Sequence, residues 1–330
     1  MVFMGIKKTL SMTDERIMEM LRHSRIIGQL SHLSAWMIAF AVTALWAGLL
    51  HAQTTDPAGA GFQFLTIGGG ARAVGLAETM VSDGEDPFVM EYNPAGLSAL
   101  EKTTVSFSHS ELYFDSRGEY VSAGVPHGPW AFGGRAGYLG SDDFPLRTGP
   151  TVEPLGYYDA SSGVFQGGVA RRISAKVALG FSAAYVIEHI DNSTAQNSVF
   201  GLGLRYTRSE HLAFGASFIN VGPETHFEER DFSMPNRFRA GGSYLYKYVS
   251  LRGELVAPDN ENAKWHFGAE ATPDPRLALR AGVKLGYDTQ VFAAGFGVRT
   301  ADGRFGIDYA YAPYSTDFGT THRYGLSIRP

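Results

Sequence analysis

Fourteen times between Thr103 and Arg329 the sequence alternates apolar and polar residues with a period of two. A strand sends successive side chains to opposite faces, so each run has one greasy face and one polar face. The pattern is plainest in RLALRAGVKLGY. Leu277, Leu279, Ala281, Val283, Leu285 and Tyr287 point one way, and Arg276, Arg280, Lys284 and two glycines point the other. In the same way Phe305, Ile307, Tyr309 and Tyr311 oppose Arg304, Gly306 and Asp308. Trp265, Phe267 and Ala269 oppose His266, Gly268 and Glu270. The runs centre near Phe107, Val121, Arg135, Phe165, Phe181, Leu202, Ala216, Gly241, Arg252, Phe267, Ala281, Ala294, Ile307 and Leu326. An even count suits an all-β fold, a closed antiparallel transmembrane barrel of about fourteen strands with both termini on the periplasmic side.

The connections carry a second signal. Those after odd strands include SDDFPLRTGPTVEPL (141–155), DNSTAQ (191–196), GPETHFEERDFSMP (222–235), PDNENA (258–263) and APYSTDFGT (312–320). Those after even strands are short: HGP at His127, TRSEH at Thr207, YKY at Tyr246 and TPDP at Thr272. Long loops on one side and tight turns on the other suit an outer-membrane barrel. A soluble β-sandwich alternates in the same way with its greasy face inward. Aromatic residues near strand ends (Trp130, Tyr185, Tyr244, Tyr246, Trp265, Tyr287 and Tyr311) favour a membrane girdle instead. Composition agrees: forty glycines and 13% aromatic residues accompany only 18% charged residues. The absence of cysteine excludes disulfides and thiolate chemistry, and a net charge of -5 gives no electrostatic case for nucleic acid.

The first part of the chain reads as a targeting segment. SAWMIAFAVTALWAGLL (34–50) is apolar and uncharged, Arg22 and Arg25 precede it, and Ala52 offers a small residue at a cleavage site. Residues 1–52 are therefore expected to be a secretory signal with an over-long basic region, Met20 being a plausible start.

TIGGGARAVG (66–75) raises a different question. Gly68, Gly70 and Ala73 have the spacing of a dinucleotide cradle, with acidic Glu85 and Asp86 downstream. That cradle needs a strand, a helix and a parallel strand, and antiparallel-type runs follow here instead. The wider segment reads FQFLTIGGGARAVGLAETMVSDGEDPFVMEYNPAGLSAL (62–100). Its pieces Phe64-Leu65, Ile67-Gly68, Gly70-Ala71-Arg72-Ala73, Gly75, Asp83 with Asp86, and Asn93-Pro94-Ala95-Gly96-Leu97 resemble the N-terminal signature of the PorV/PorQ family, related to FadL-type barrels. The resemblance continues in Ser106-Phe107-Ser108-His109 and, near the end, in Asp308-Tyr309-Ala310-Tyr311-Ala312-Pro313-Tyr314 and Thr321-His322-Arg323. It departs where the chain closes on Ile328-Arg329-Pro330 rather than on an aromatic residue.

The reading divides the chain into a signal (1–52), a plug or hatch (53–102) and a transmembrane barrel (103–330). Gly68, Gly70, Ala71, Arg72, Gly75, Asn93, Pro94 and Gly96 form the plug motif. The small residues allow backbone to approach backbone, and Asn93-Pro94 opens a turn that Gly96 closes. Arg72, confined in a lumen, requires a wall carboxylate, with Glu254, Glu270 and Asp308 as candidates. Arg252, Glu254, Glu270, Arg280, Arg304, Asp308 and Arg323 fall on polar faces and form a candidate lumen charge network, with Arg239, Arg276, Lys284, Arg299 and Arg329 as further members. A salt-bridge network bracing barrel and plug is favoured over a substrate path.

His109 with Glu111, and His266 with Glu270, share strand faces without a third ligand, so no metal site is expected. Neither G-x-S-x-G nor H-E-x-x-H occurs, and no enzymatic activity or cofactor is expected. The resemblance to PorV implies an accessory role in type IX secretion, with secretion components and the C-terminal domains of client proteins as partners beside outer-membrane lipid. The resemblance to FadL-type barrels implies uptake of an apolar solute through a lateral gap. A structural barrel with neither task is the third possibility.

Overall fold

A computed structural model describes residues 60–149, 153–227, 230–314 and 319–330. The expected signal segment lies outside the described residues. The wall begins with β1 (Thr104–Glu111), β2 (Arg117–His127), β3 (Trp130–Leu146), β4 (Gly156–Arg172), β5 (Val177–Ile190), β6 (Ser193–Ser209) and β7 (Leu212–Val221). A small hairpin, β8 (Thr225–Phe227) with β9 (Arg230–Phe232), follows. The wall continues through β10 (Arg237–Tyr246), β11 (Val249–Pro258), β12 (Lys264–Asp274), β13 (Leu277–Leu285), β14 (Phe292–Arg299), β15 (Phe305–Pro313) and β16 (Thr320–Ile328). Each wall strand pairs antiparallel with the next, and β16 returns to pair with β1, closing a fourteen-stranded barrel. All fourteen run centres read from the sequence fall within these strands.

Several expected loops are partly strand, the 222–235 connection through the β8–β9 hairpin. β3 runs to Leu146, pairing Phe144 with Tyr158 beyond a register shift after Ser141. In DNSTAQ, β6 starts at Ser193 opposite Ile190 and leaves a two-residue turn in which Asp191 has φ 54°. Backbone pairing continues there after the apolar–polar alternation has lapsed, because a strand end with water on both faces needs no greasy side.

The faces distinguish barrel from sandwich. Phe165, Leu202 and Ile307 are each 61% exposed, whereas Glu254 is 1% and Arg280 5% exposed. The greasy face is outermost and the charged face hidden, the inverse of a soluble sandwich. Among the described residues no helix is long and apolar enough to cross a membrane; the strands form the wall.

The hidden face is covered by the chain between Phe62 and Leu100. It carries 3-10 turns at Gln63–Thr66, Pro87–Glu91 and Pro94–Ala99 and a five-residue helix, α1 (Ala71–Gly75). α1 packs on β13 to β16, and the turn at Pro94–Ala99 packs on β3 to β6. Asn93 fixes that turn. Its Oδ1 accepts from the Ala95 amide at 3.0 Å, and Pro94 supplies a preset φ at the first position. Its Nδ2 donates to the Val81 carbonyl at 2.6 Å and to the β6 carbonyl of Leu204 at 3.0 Å.

Wall glycines allow this contact. A Cβ on Gly268 would stand 2.7 Å from the Leu76 carbonyl oxygen, and one on Gly282 would stand 2.9 Å from the Ala77 amide nitrogen. These two glycines face each other across β12 and β13. Apolar side chains fill two further zones. Phe62 and Phe64 cluster with Val164, Val186, Val199 and Met234, and Met90 and Leu97 lie with Ala131 and Ala170.

The face assignment predicts a depth-dependent penalty. Phe165→Arg, in the middle of β4, is expected to cost ~2–4 kcal/mol in a lipid-based unfolding titration, and Leu277→Arg, at the first position of β13, about 0–1 kcal/mol. Equal penalties at the two positions would contradict the placement.

Candidate functional site

Charged side chains of β11 to β15 converge on α1 and the loop after it. Arg72 ion-pairs with Asp83 through Nη1, and its Nη2 reaches Glu270 Oε1 at 2.9 Å. Arg252 spans the same two carboxylates, at 2.9 Å to Asp83 Oδ1 and 3.3 Å to Glu270 Oε1. Arg280 Nε donates to Glu270 Oε2 at 2.6 Å, and its Nη1 donates to Asp308 Oδ1 at 2.5 Å. Three guanidinium groups thus alternate with three carboxylates. Of the three wall carboxylates considered for Arg72, Glu270 is the one in contact. The nearer partner, Asp83, comes from the segment itself.

Glu254 belongs to a second pair. Its Oε1 accepts from Arg239 Nε at 2.5 Å and its Oε2 from the Val81 amide at 3.0 Å. Arg239 also donates to the Glu78 carbonyl at 2.9 Å, and its guanidinium lies 4.9 Å from the centre of the Tyr92 ring. Lys284 forms a third pair with Glu78 at 3.0 Å and shares a 3.0 Å hydrogen bond with Gln290.

Other sequence candidates fall elsewhere. Arg304 is exposed in the turn before β15, where its amide donates to Asp302, because the strand starts one residue later than the alternation suggests. Arg276 is exposed in the β12–β13 turn and pairs with Asp274. Arg299 and Arg329 gather near the backbone and side chain of Glu85. Arg323 is 3% exposed on β16, and its side-chain Nε and Nη1 are buried without a hydrogen-bond partner among the described residues. His266 points inward and meets the Tyr287 hydroxyl at 2.9 Å, while His109 lies on the outer face with Glu119 at 2.6 Å. Among the described residues no group of three His, Cys, Asp or Glu side chains could hold a metal ion.

The plug-motif residues separate into two sites. Gly70, Ala71, Arg72 and Gly75 build and cap α1, with Gly75 against Gly295 of β14. Asn93, Pro94 and Gly96 build the later turn, where a Cβ on Gly96 would stand 2.8 Å from the Asp83 carbonyl. Gly68 lies beneath Tyr92 and Glu78.

A small cavity of about 10 Å³, enough for one water, lies between the segment and the wall. Leu65, Ala184, Val199, Phe200 and Ile219 form its apolar side, and Glu91, Arg135, Gln166, Ser182 and Asn220 form its polar side, the larger of the two. Arg135 Nη1 pairs with Glu91 at 2.9 Å, and its Nε donates to Gln166 at 3.1 Å. The cavity adjoins a break in the wall. Phe200 pairs with Val221 but Leu202 with Phe218, so Gly201 faces two residues of β7, and Asn220 adopts φ 60°. That extra residue is a β-bulge. Nothing in the sequence marks it, since the alternation of β7 continues up to it.

The network gives the fold an acid limit. Burial pushes the Glu78 carboxyl up, but Lys284, with His266 and Arg239 beyond it, outweighs burial and holds it at about 2, below its usual 4.5. A carboxyl whose folded pKa is depressed contributes stability above its unfolded value, and that stability is lost as pH falls through the folded value. The melting temperature in detergent should therefore fall between about pH 4.5 and pH 2, and Glu78→Gln should flatten that part of the curve. Arg72→Met, which leaves Asp83 and Glu270 with fewer cations, should cost about 3–5 kcal/mol in the same preparation near neutral pH.

No protein-family profile matches the chain. No curated protein sequence matches it either. Solved structures do. The toluene transporter TbuX of Ralstonia pickettii aligns with a TM-score of 0.59 at 12% identity, over 79% of this chain and 98% of that one. The toluene transporter TodX of Pseudomonas putida aligns with a TM-score of 0.57 at 12% identity, over 79% and 97%. A FadL homologue of Pseudomonas aeruginosa aligns with a TM-score of 0.53 at 11% identity, over 78% and 97%. The closed fourteen-stranded barrel described above is thus the fold of the FadL-type outer-membrane barrels.

Proposed function

We propose that this protein is an outer-membrane barrel that admits a small apolar solute, with the segment from residue 60 to 100 as its plug and both barrel termini on the periplasmic side. The observation that carries the reading is the cavity at the β6–β7 bulge. One of its walls is apolar, and it borders the place where strand pairing is irregular. The likeness of fold to two toluene transporters supports a solute of that class. At about 10 Å³ the cavity takes one water, so a monoaromatic molecule requires Leu65 on the segment to move away from Phe200 and Ile219 on the wall. The inward charges of β11 to β15 then brace the α1 side of the barrel, while at the cavity the Arg135–Glu91 pair ties the segment to the wall. The reading includes no catalytic step, cofactor or nucleic acid. Nothing in the fold comparisons supports a role in type IX secretion or a set of secreted clients.

Expression of the protein in a host whose outer membrane lacks such a channel should raise uptake of labelled toluene at low external concentration. Ala184→Phe, which fills the cavity from β5, should abolish the increase while the protein keeps its heat-modifiable mobility on gels. Uptake equal to that of the empty host, with folded protein present in the outer membrane, would reject the reading.

A further inference from the structure

We propose that the seam where the barrel closes holds a binding site for a small monoanion of the carboxylate class, centred on Arg323. Arg323 sits on β16, with Ser110 of β1 as its partner across the seam and Ala310 as its partner on β15. Its side chain is 3% exposed, and its Nε and Nη1 are buried without a hydrogen-bond partner. The other deeply buried cations facing the lumen from β10 to β13, Arg239, Arg252, Arg280 and Lys284, all meet a carboxylate. An isolated buried guanidinium is costly, and such a group is ordinarily paired.

Its surroundings are donors without partners. Ser106, Ser108 and Ser110 share the inward face of β1, all are at most 3% exposed, and the Oγ of each is buried without a hydrogen bond. The Tyr120 hydroxyl is likewise unpartnered. A Cβ on Gly118 would stand 2.8 Å from that hydroxyl, and Gly118 is the β2 partner of Ser110. The Tyr120 hydroxyl, Ser110 and Arg323 therefore form one row across β2, β1 and β16. Tyr92, whose hydroxyl is also buried and unpartnered, approaches from the inner segment, close enough to feel the Arg323 charge.

The chemistry of the row selects the ligand. A planar guanidinium presents parallel N–H groups that match the two oxygens of a carboxylate, and the hydroxyls add donors at its edge. One unpaired positive charge balances one negative charge. Glu91 stands beside the Tyr120 ring on its other side, since a Cβ on Gly69 would lie 2.9 Å from Glu91 Oε1 and 3.1 Å from Tyr120. A second negative charge on the ligand would meet that carboxylate. Formate and acetate fit these terms, and a dianion such as sulfate does not. This site belongs to the β16–β1–β2 seam and the cavity to the β6–β7 bulge, and the site stands whether or not a hydrocarbon passes.

The test is thermal unfolding of the whole folded protein in detergent, titrated with sodium formate and sodium acetate, with sodium sulfate holding the ionic strength constant. A saturable rise in melting temperature is expected for both carboxylates. Ser110→Ala, which keeps the charge and removes one donor, should raise the half-saturating concentration about tenfold. Arg323→Gln, checked for folding by heat-modifiable mobility, should lose the response entirely. No response in the unaltered protein, or an equal response in folded Arg323→Gln, would overturn the site. An equal response to sodium chloride would overturn its carboxylate class. Should Arg323→Gln fail to fold, an unchanged half-saturating concentration in Ser110→Ala would overturn the proposal on its own.

Discussion

The whole arrangement depends on backbone lying against backbone. The inner segment has no long helix or sheet of its own, so its peptide groups approach the wall directly. That approach is possible only where the wall lacks side chains. Gly268 and Gly282 form one bare cross-strand pair under Leu76 and Ala77, and Gly180 and Gly203 form another under Pro94 and Ala95. Gly215 does the same beneath Val81. A single methyl at any of these positions meets main-chain atoms, which cannot swing aside as a flexible side chain does. The high glycine content of the chain therefore has a local cause: the inner face of the wall is a mould for one particular path of backbone.

Close backbone contact leaves little room for water, and this explains the form of the electrostatics. In such a space a lone charge is penalised heavily, while alternating charges stabilise one another. Arg72, Arg252 and Arg280 interleave with Asp83, Glu270 and Asp308 so that every member touches an opposite charge. The network occupies the half of the barrel that α1 covers. The other half, from β3 to β7, adds a larger share of alanine, valine, methionine, phenylalanine and leucine to its polar contacts, among them the Arg135–Glu91 pair and the hydrogen bonds from Arg205 to the Ser82 carbonyl and from Ser217 to the Tyr92 carbonyl. The barrel thus has a densely charged side and a greasier side, and the wall irregularity lies on the greasier side.

The period of two made the wall legible, because membrane-facing and lumen-facing positions obey opposite rules of polarity on every strand. Arg280 and Leu279 fall on opposite faces on that ground alone, and their exposures are 5% and 50%. Where both faces meet water the rule lapses, which is why the outer ends of β3 and β6 read as loops. Alternation alone puts Arg304 on the inner face for a related reason: it runs through a turn as easily as through a strand when the turn residues are polar. The site was less legible. Asp83 carries no periodic signal, and its role as the first partner of Arg72 depends on the fold of an irregular segment. The bulge at Asn220 leaves the composition of β7 unchanged and alters only its pairing. The likeness of residues 62–100 to one family points to the FadL-type fold, while the finer role attached to that family is not supported by the toluene transporters and FadL homologue compared above.

The contacts of α1 impose an order on assembly. Arg72 is separated from Glu270 by 198 residues, and α1 packs on β13 to β16, the last strands in the chain. The earliest part of the barrel protein to be made thus finds its partners only when the latest part arrives. Bringing such distant pieces together carries a loop-closure cost that is recovered late. Once β1 and β16 pair from Val105 with Ile328 to Glu111 with His322, the ring has no free strand edge. Because α1 touches β16 as well as β13 to β15, its packing is complete only when that closing strand is in the wall, much as a keystone and the arch it locks depend on each other.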